Sequence, residues 1–307
     1  MVVVAVAGGT GHVGRAIVEE LKGSSKHKLL VLSRKPAEKT DSDTSFLVVD
    51  YDDVDGTAKL LASNNVHTVI SAIQVTSPAA SASECNLVQA AAKSTTVQRF
   101  VASDWGVHHT EISPLYAVRE ATLAELRKTN FEWTRFVNGF FLDYYGFPYL
   151  KSYLQLPASF VLDIEHKVAA IPGTGNEPMS LIYTIDLAKF VVASLDVQNW
   201  EETTYCYSDS TTWNEFLKLI EEARGAKFTV TYDSIEKLEK GEITELPAHA
   251  IAYAFYPKER LQGLLCLFGR YVIEGKFDMP KDKALNSKFP NIQTLKVKDV
   301  VELWKGK

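Results

Sequence analysis

The sequence predicts an α/β protein: a doubly wound parallel Rossmann sheet with a smaller C-terminal α+β substrate lobe. Three observations predict it. A valine-rich run, a glycine-dense loop and an amphipathic stretch follow one another in "MVVVAVAGGTGHVGRAIVEELKG", residues 1–23. Further short apolar runs then alternate with helical patterns as far as residue 141. Past residue 145 that alternation loosens.

Residues 2–7 are continuously apolar, as in a strand buried on both faces. Val13, Ile17, Val18 and Leu21 then form one helical stripe, and Gly23 is a helix stop. Between them Gly9, Gly11 and Gly14 satisfy G-x-G-x-x-G, and Gly8, Gly11 and Gly14 satisfy G-x-x-G-x-x-G. In that context one glycine turns the chain and a middle one lets a diphosphate approach the backbone. The last lets helix and strand pack closely. The helix N-terminus supplies N–H groups and partial positive charge. The expected dinucleotide cradle is therefore Gly8, Thr10, Gly11, His12, Val13 and Gly14.

"KLLVLSRKP" (28–36) is the second expected strand, and its tip carries Ser33, Arg34 and Lys35. An acid at this place suits the ribose 2′-hydroxyl of NAD, whereas cations suit the 2′-phosphate of NADP. The cofactor expected is NADP(H). "TSFLVVDYDD" (44–53) ends near Asp50, a candidate for the adenine amino group and equally for capping a turn. "VHTVISAIQ" (66–74) is a fourth strand, and the backbone of Ala72, Ile73 and Gln74 is expected to run beside the cofactor. "VQRFVASDWG" (97–106) and "FEWTRFVNGFF" (131–141) are the fifth and sixth, with helices over 54–63, 83–93 and 114–128. Ligands in such sheets lie outside the carboxyl ends of the strands. That places Ser103 to His109 and Asn138 to Phe141 in the expected site, with Asn138 and Phe140 as candidates to contact the nicotinamide.

The C-terminal part reads as a Gly/Pro loop (172–178), then a strand, then a helix capped by Asp186. A helix over 211–225 follows, with Thr212 and Glu215 as a capping box, and then a strand over 228–234. The expected division is 1–150 for the nucleotide and 151–307 for the substrate, with about 180–196 returning to the main sheet. "FFLDYYGFPYL" (140–150) suits either core or the wall of a pocket for a flat apolar molecule.

Bulk composition bounds the function. The 307 residues are 46% hydrophobic and 23% charged with a net charge of -5, so no basic footprint for nucleic acid exists. Cys85, Cys206 and Cys266 are far apart and odd in number, which suits buried thiols in a reducing compartment and offers no metal site. The N-terminal apolar run lacks a basic flank and breaks at Gly8, and no stretch suits a membrane span. A cytoplasmic location is expected.

"VAGGTGHVG", "RFVASDWG", "FEWTRFVNGFF" and "IPGTGNEP…YTIDLAKF" together resemble the NmrA-like and isoflavone-reductase-like proteins, atypical relatives of the short-chain dehydrogenases. The resemblance covers nearly the whole chain, most specifically 5–14 and 99–141, and "SDWG" is similar to fungal members. It implies NADP(H), a Rossmann domain and a small substrate lobe. It also implies either reduction of an aromatic or polyketide-like small molecule, or a redox-sensing regulator that presents a surface to a partner protein.

The catalytic residues depart from both patterns. Short-chain dehydrogenases use Tyr-x-x-x-Lys, but none of the thirteen tyrosines has lysine four residues on; Tyr116 is followed there by Glu120 and Tyr256 by Arg260. The reductases of the resembled family use a lysine in the helix after strand five, and its position here holds Arg119. A guanidinium stays protonated and cannot serve as a general acid near neutrality. It can hold an oxyanion or the nicotinamide ribose. The proton would then come from Tyr116, one turn away, or from His108 or His109 after strand five. Each also has a plain structural reading: Tyr116 as a packed aromatic, the histidines as loop surface, and Arg119 as partner to Glu120, Glu111 or Asp104. An NADPH-dependent reductase is expected first. A non-catalytic NADP(H) sensor, and an isomerase or cyclase that keeps the nucleotide, are the alternatives.

Overall fold

The computed structural model describes residues 2–36, 44–154 and 159–307. The chain divides into two compact units. One comprises Met1–Val137, Leu187–Tyr205 and Ser287–Phe289; the other comprises Asn138–Asp186, Cys206–Asn286 and Pro290–Lys307.

The first unit runs β1 (Val3–Ala7), α1 (His12–Gly23), β2 (Lys28–Ser33), β3 (Ser45–Val48), α2 (Val54–Ser63), β4 (Val66–Ser71), α3 (Pro78–Lys93), β5 (Arg99–Gly106), α4 (Tyr116–Leu126) and β6 (Glu132–Val137). The sheet order is β6-β5-β4-β1-β2-β3, with the strand Thr203–Tyr205 added outside β6. Every pairing is parallel. This is the doubly wound Rossmann order, in which the direction of winding reverses between β1 and β4. Val4, Ala5, Val6 and Ala7 are all 0% exposed, as a strand covered on both faces requires. Leu30, Leu32, Val69, Leu87, Phe100, Leu123 and Trp133 belong to one core cluster. Each such side chain contributes about 1.5–3 kcal/mol by leaving water.

Three elements differ from the sequence expectation. The run 131–141 is two strands, because β6 ends at Val137 and Phe140–Phe141 pairs with Met179–Ile182 in the second unit. Gly139 makes the break at φ +80, where an added Cβ would lie 2.1 Å from the Ser180 carbonyl oxygen. Helix α3 starts earlier than residue 83: Ser77 caps it by accepting from Ala80 N–H, and Pro78 opens its first turn. The segment that returns to the first unit is Leu187–Tyr205 rather than 180–196.

The second unit holds two three-stranded sheets. One joins Phe140–Phe141, Met179–Ile182 and Asp209–Thr211; the other joins Leu162–Asp163, Val168–Pro172 and Thr229–Asp233. The helix Trp213–Arg224 carries the expected capping box, and Gly225 ends it at φ +60. Asp186 is not a helix cap. It sits in the first turn of the helix Thr184–Ser194, and its buried carboxylate accepts from Ser208 Oγ and Leu295 N–H, both at 2.7 Å. The aromatic run 140–150 is divided: Phe140 and Tyr145 are core, whereas Phe147 is 58% exposed. Cys206 and Cys266 are buried, Cys85 is half-buried, and all three are free thiols. Among the described residues no helix is long and apolar enough to cross a membrane, and no acid, histidine and cysteine cluster could hold a metal ion.

Candidate nucleotide and active site

The glycine loop is tight on one side and open on the other. Gly8 has φ +74, and an added Cβ there would lie 2.4 Å from the Ala72 carbonyl oxygen. An added Cβ on Gly14 would lie 2.3 Å from the Gly8 carbonyl oxygen. Both obstacles are main chain and cannot swing away. Gly11 is the opposite case. Its backbone is extended, at φ -126 and ψ 153, and an added Cβ would meet nothing within 4 Å. Neither conformation nor packing asks for glycine there. Helix α1 begins beside it with no side-chain cap and no acid in its first turn. His12 follows at a left-handed φ of +43, a strained conformation of the kind that gathers at binding sites. Thr10 and His12 are exposed, and Val13 is buried against the core. This cradle fits the diphosphate of a dinucleotide.

The tips of β2 and β3 lie beside one another in the sheet. Ser33 Oγ accepts from Lys35 N–H at 3.3 Å, and Arg34 and Lys35 are exposed. Burial pushes the Tyr51 phenol up to about 12, and the nearby Arg34 guanidinium opposes that shift. Asp50 anchors a turn: its Oδ1 accepts from Asp52 N–H at 3.0 Å, and its carbonyl accepts from Thr57 Oγ1 at 3.0 Å.

The ends of β4 and β5 are bound together. Ala72 N–H donates to the Ala7 carbonyl at 2.8 Å, which holds the Ala72 carbonyl against Gly8. Ser103 was expected to face the cofactor, but its polar groups are engaged internally. Its hydroxyl donates to the Ile73 carbonyl at 2.6 Å and its N–H to Glu84 Oε1 at 2.8 Å, while its carbonyl accepts from Arg119 Nη1. Ser103 thus positions the segment 72–74, of which Gln74 is exposed. Glu84 was not anticipated. It is 1% exposed, accepts also from Thr122 Oγ1 at 2.9 Å, and burial raises its carboxyl. An acid on the apolar stripe of α3, one turn before Leu87 and Val88, was the available signal.

Arg119 sits on α4 with Nη1 at 3.1 Å from Asp104 Oδ1, and Arg135 Nη1 lies 3.3 Å from Asp104 Oδ2. All three side chains are largely buried. Two guanidinium groups share one carboxylate, so the trio keeps a net positive charge. Of the three partners considered for Arg119, Asp104 is the one the structure records. Tyr116 opens α4, half-buried, with its N–H donated to the Ser113 carbonyl at 3.0 Å. His108 is exposed, whereas His109 is half-buried with Nδ1 2.9 Å from Ser113 Oγ. Burial, and next the charge of Arg119, pull the His109 pKa down to about 4, with Asp104 opposing. The Arg119 charge thus acts on His109, one of the two histidines expected as proton donors.

Asn138 and Phe140 belong to the second unit. Asn138 is fully buried and its Nδ2 donates to the Gly139 carbonyl at 3.3 Å. The Phe140 ring packs with Tyr144, Tyr145, Phe160, Phe268 and Phe277, so it is core in that unit.

Comparison with known proteins agrees with this architecture. A family model described as the NmrA-like family matches residues 2–307. Oxidoreductase BOA1 of Botryotinia fuckeliana is 35% identical over 95% of this chain and 96% of that protein. Oxidoreductase swnN of Metarhizium robertsii is 32% identical over 97% and 96%. The binary complex of leucoanthocyanidin reductase with NADPH from Vitis vinifera superposes with a TM-score of 0.74, at 15% identity over 98% of each chain. At that identity the likeness shows the shared fold.

Proposed function

This chain belongs to the NmrA-like family, and from that premise we propose that it is an NADPH-dependent reductase of a small aromatic or polyketide-like carbonyl or enone compound. The observation that carries the reading is Gly11, a glycine that the fold does not need, placed in open space at the start of α1. Oxidoreductase relatives over nearly the full chain support it.

In this reading the backbone of residues 8–14 holds the diphosphate. Arg34, with Ser33 and Lys35, holds the ribose 2′-phosphate, and the exposed Asp50 meets the adenine amino group. The segment 72–74, braced by Ser103 and Glu84, runs beside the cofactor. NADPH supplies the hydride when bound. The Arg119 guanidinium, kept in place by Asp104 and the Ser103 carbonyl, stabilises negative charge as it develops on the substrate oxygen. Arg119 retains its own protons, so the rest of the polar work falls to Tyr116 and to the histidines that follow β5.

One observation favours a second reading, a nucleotide-sensing regulator without turnover: Arg119 already has two protein partners. Calorimetric titration with NADPH and NADH, followed by NADPH consumption against a panel of aromatic ketones and enones, separates the two. Turnover supports the reductase, and tight NADPH binding with no turnover supports the regulator. Arg34→Ala should weaken NADPH by about tenfold to a hundredfold and leave NADH nearly unchanged. Equal losses would remove Arg34 from the 2′-phosphate site.

A further inference from the structure

We propose that Glu84 is a positioning residue that sets where the Arg119 guanidinium lies relative to the nucleotide, one carboxylate oxygen tying the end of β5 and the other tying α4. The proposal rests on the reductase reading above and deepens it: the side chain that braces 72–74 also fixes the group that holds the substrate oxygen.

Ser81 and Glu84 are three residues apart on α3, and Val118, Arg119 and Thr122 fall within about one turn of α4, so each set lies along one helix face. The two faces meet. Ser81 Oγ donates to the Val118 carbonyl at 2.8 Å, and Thr122 Oγ1 donates to Glu84 Oε2 at 2.9 Å. Helix α3 therefore grips α4 at one residue before Arg119 and three residues after it.

The other carboxylate oxygen reaches the sheet. Glu84 Oε1 accepts from Ser103 N–H at 2.8 Å. Ser103 turns its remaining groups to the two halves of the site. Its hydroxyl donates to the Ile73 carbonyl at 2.6 Å, and its carbonyl accepts from Arg119 Nη1. One carboxylate thus fixes Arg119 from both directions. The helix that carries it is held through Thr122, and the carbonyl that receives its Nη1 is held through Ser103. Glu84, Ser103 and Thr122 are all buried, so bulk water does not replace a lost partner.

The role is one of geometry rather than charge. Ser103 N–H can only donate, so Oε1 must accept. Oε2 faces a hydroxyl, which can donate to a carboxylate or accept from a carboxylic acid. Both bonds survive in either protonation state. Burial raises the Glu84 carboxyl, opposed by its hydrogen bonds and then by the Arg119 charge. A neutral side chain of the same shape holds the same two partners.

Two variants read the two arms separately. Thr122→Val keeps the shape and removes the bond to α4. With a substrate found by the NADPH panel it should lower kcat about tenfold or more and leave NADPH affinity, by calorimetry, within about twofold of wild type. Ser103→Ala removes the bond to Ile73 and keeps the main-chain bonds to Glu84 and Arg119. It should weaken NADPH about tenfold, with a smaller loss of kcat than Thr122→Val. Glu84→Met should show both losses, with kcat down about 100-fold, and Glu84→Gln should recover at least tenfold of that. Without substrate, nitrogen-15 NMR of arginine Nε–H groups reads Arg119 directly, its resonance assigned by its absence in Arg119→Lys. The resonance should move in Thr122→Val and Glu84→Met and return toward its wild-type position in Glu84→Gln. Should Glu84→Met fail to fold, the contrast between Thr122→Val and Ser103→Ala decides alone. An Arg119 resonance unmoved by Thr122→Val, NADPH affinity lost equally in Thr122→Val and Ser103→Ala, or Glu84→Gln as impaired as Glu84→Met would overturn the proposal. Wild-type protein that binds NADPH and reduces nothing would overturn the reductase reading alone, because the Arg119 resonance and the NADPH affinities still read the positioning.

Discussion

The tripeptide Gly-Thr-Gly occurs at 9–11 and again at 173–175, and the two copies are built in different ways. The first joins β1 to a helix, and the second joins the strands Val168–Pro172 and Met179–Ile182. In the second copy both glycines have positive φ, +67 and +76, so their residue type is set by conformation. The space beside them is filled. Glu177 Oε1 accepts from Thr174 N–H and Oγ1, and Asn214 Nδ2 donates to the Thr174 carbonyl and to Asn176 Oδ1. That loop satisfies itself. In the first copy Gly11 has a backbone any residue could adopt and open space where a side chain would go. A glycine demanded by the chain and a glycine demanded by something outside the chain look alike in sequence. They separate once backbone angle and free space are known.

Substitution should separate them too. The largest effect is expected at Gly14, whose added Cβ would press on the Gly8 carbonyl: Gly14→Ala should lose about 3 kcal/mol or more in urea unfolding. A mild change there would mean the loop can spread, and the tight side of the comparison would fail. Next is Gly11→Val. Its stability should fall by no more than about 1 kcal/mol, the loss of a favourable N-cap residue, while NADPH affinity falls more than about 100-fold, or about 2.7 kcal/mol. Retained affinity by calorimetry would break the contrast at its centre. Gly175→Ala should cost about 1–2 kcal/mol, from the left-handed backbone and from displacing the Asn214 and Ile171 side chains, neither of which is main chain. NADPH affinity should not change in that variant.

The smallest expected effect is acid sensitivity, to which each unit contributes a histidine. In the second unit His249 is buried, accepts from Leu246 N–H and donates to the Ser159 carbonyl; burial lowers its pKa, with the Ser159 bond opposing. In the first unit the His109 pKa falls to about 4. Both folded-state values lie below the ordinary 6.5, so the unfolded chain binds more protons on acidification. Their stabilising contribution is full above pH 6.5 and declines as pH falls, for His109 down to about 4. Urea midpoints at pH 7 and pH 5 should show the loss, and His249→Gln should reduce it.

Strong local periodicity made much of the first unit legible. The valines of β1, the stripe of α1 and the helix 54–63 each carry their signal within a few residues, as does the Thr212–Glu215 box in the second unit. The break inside 131–141 was harder, because an apolar run continues through the Asn138-Gly139 turn while its two halves pair with different strands. The strand Thr203–Tyr205 is three half-buried residues with no alternation to read. In the candidate site the glycine loop and the cationic tip of β2 were local patterns. Glu84, Ser113 and the bridging of Arg119 and Arg135 by Asp104 depend on partners brought together by folding; an acid on a helix stripe hinted at the first, and Asp104 was one of three candidate partners for Arg119, but nothing local pointed to Arg135.

The return of Leu187–Tyr205 to the first sheet sets an order of events during synthesis. A nascent chain that has emerged as far as β6 holds a sheet with an open parallel edge, a surface other strands can join. Arg99 and Glu132 wait there without the Leu195 carbonyl, the Trp200 N–H and the Trp200 ring they later bind. The second unit's first stretch must leave the ribosome before that edge can be sealed. Cutting the chain after the sixth strand would therefore release a sheet with its edge still sticky, not an independent nucleotide-binding module.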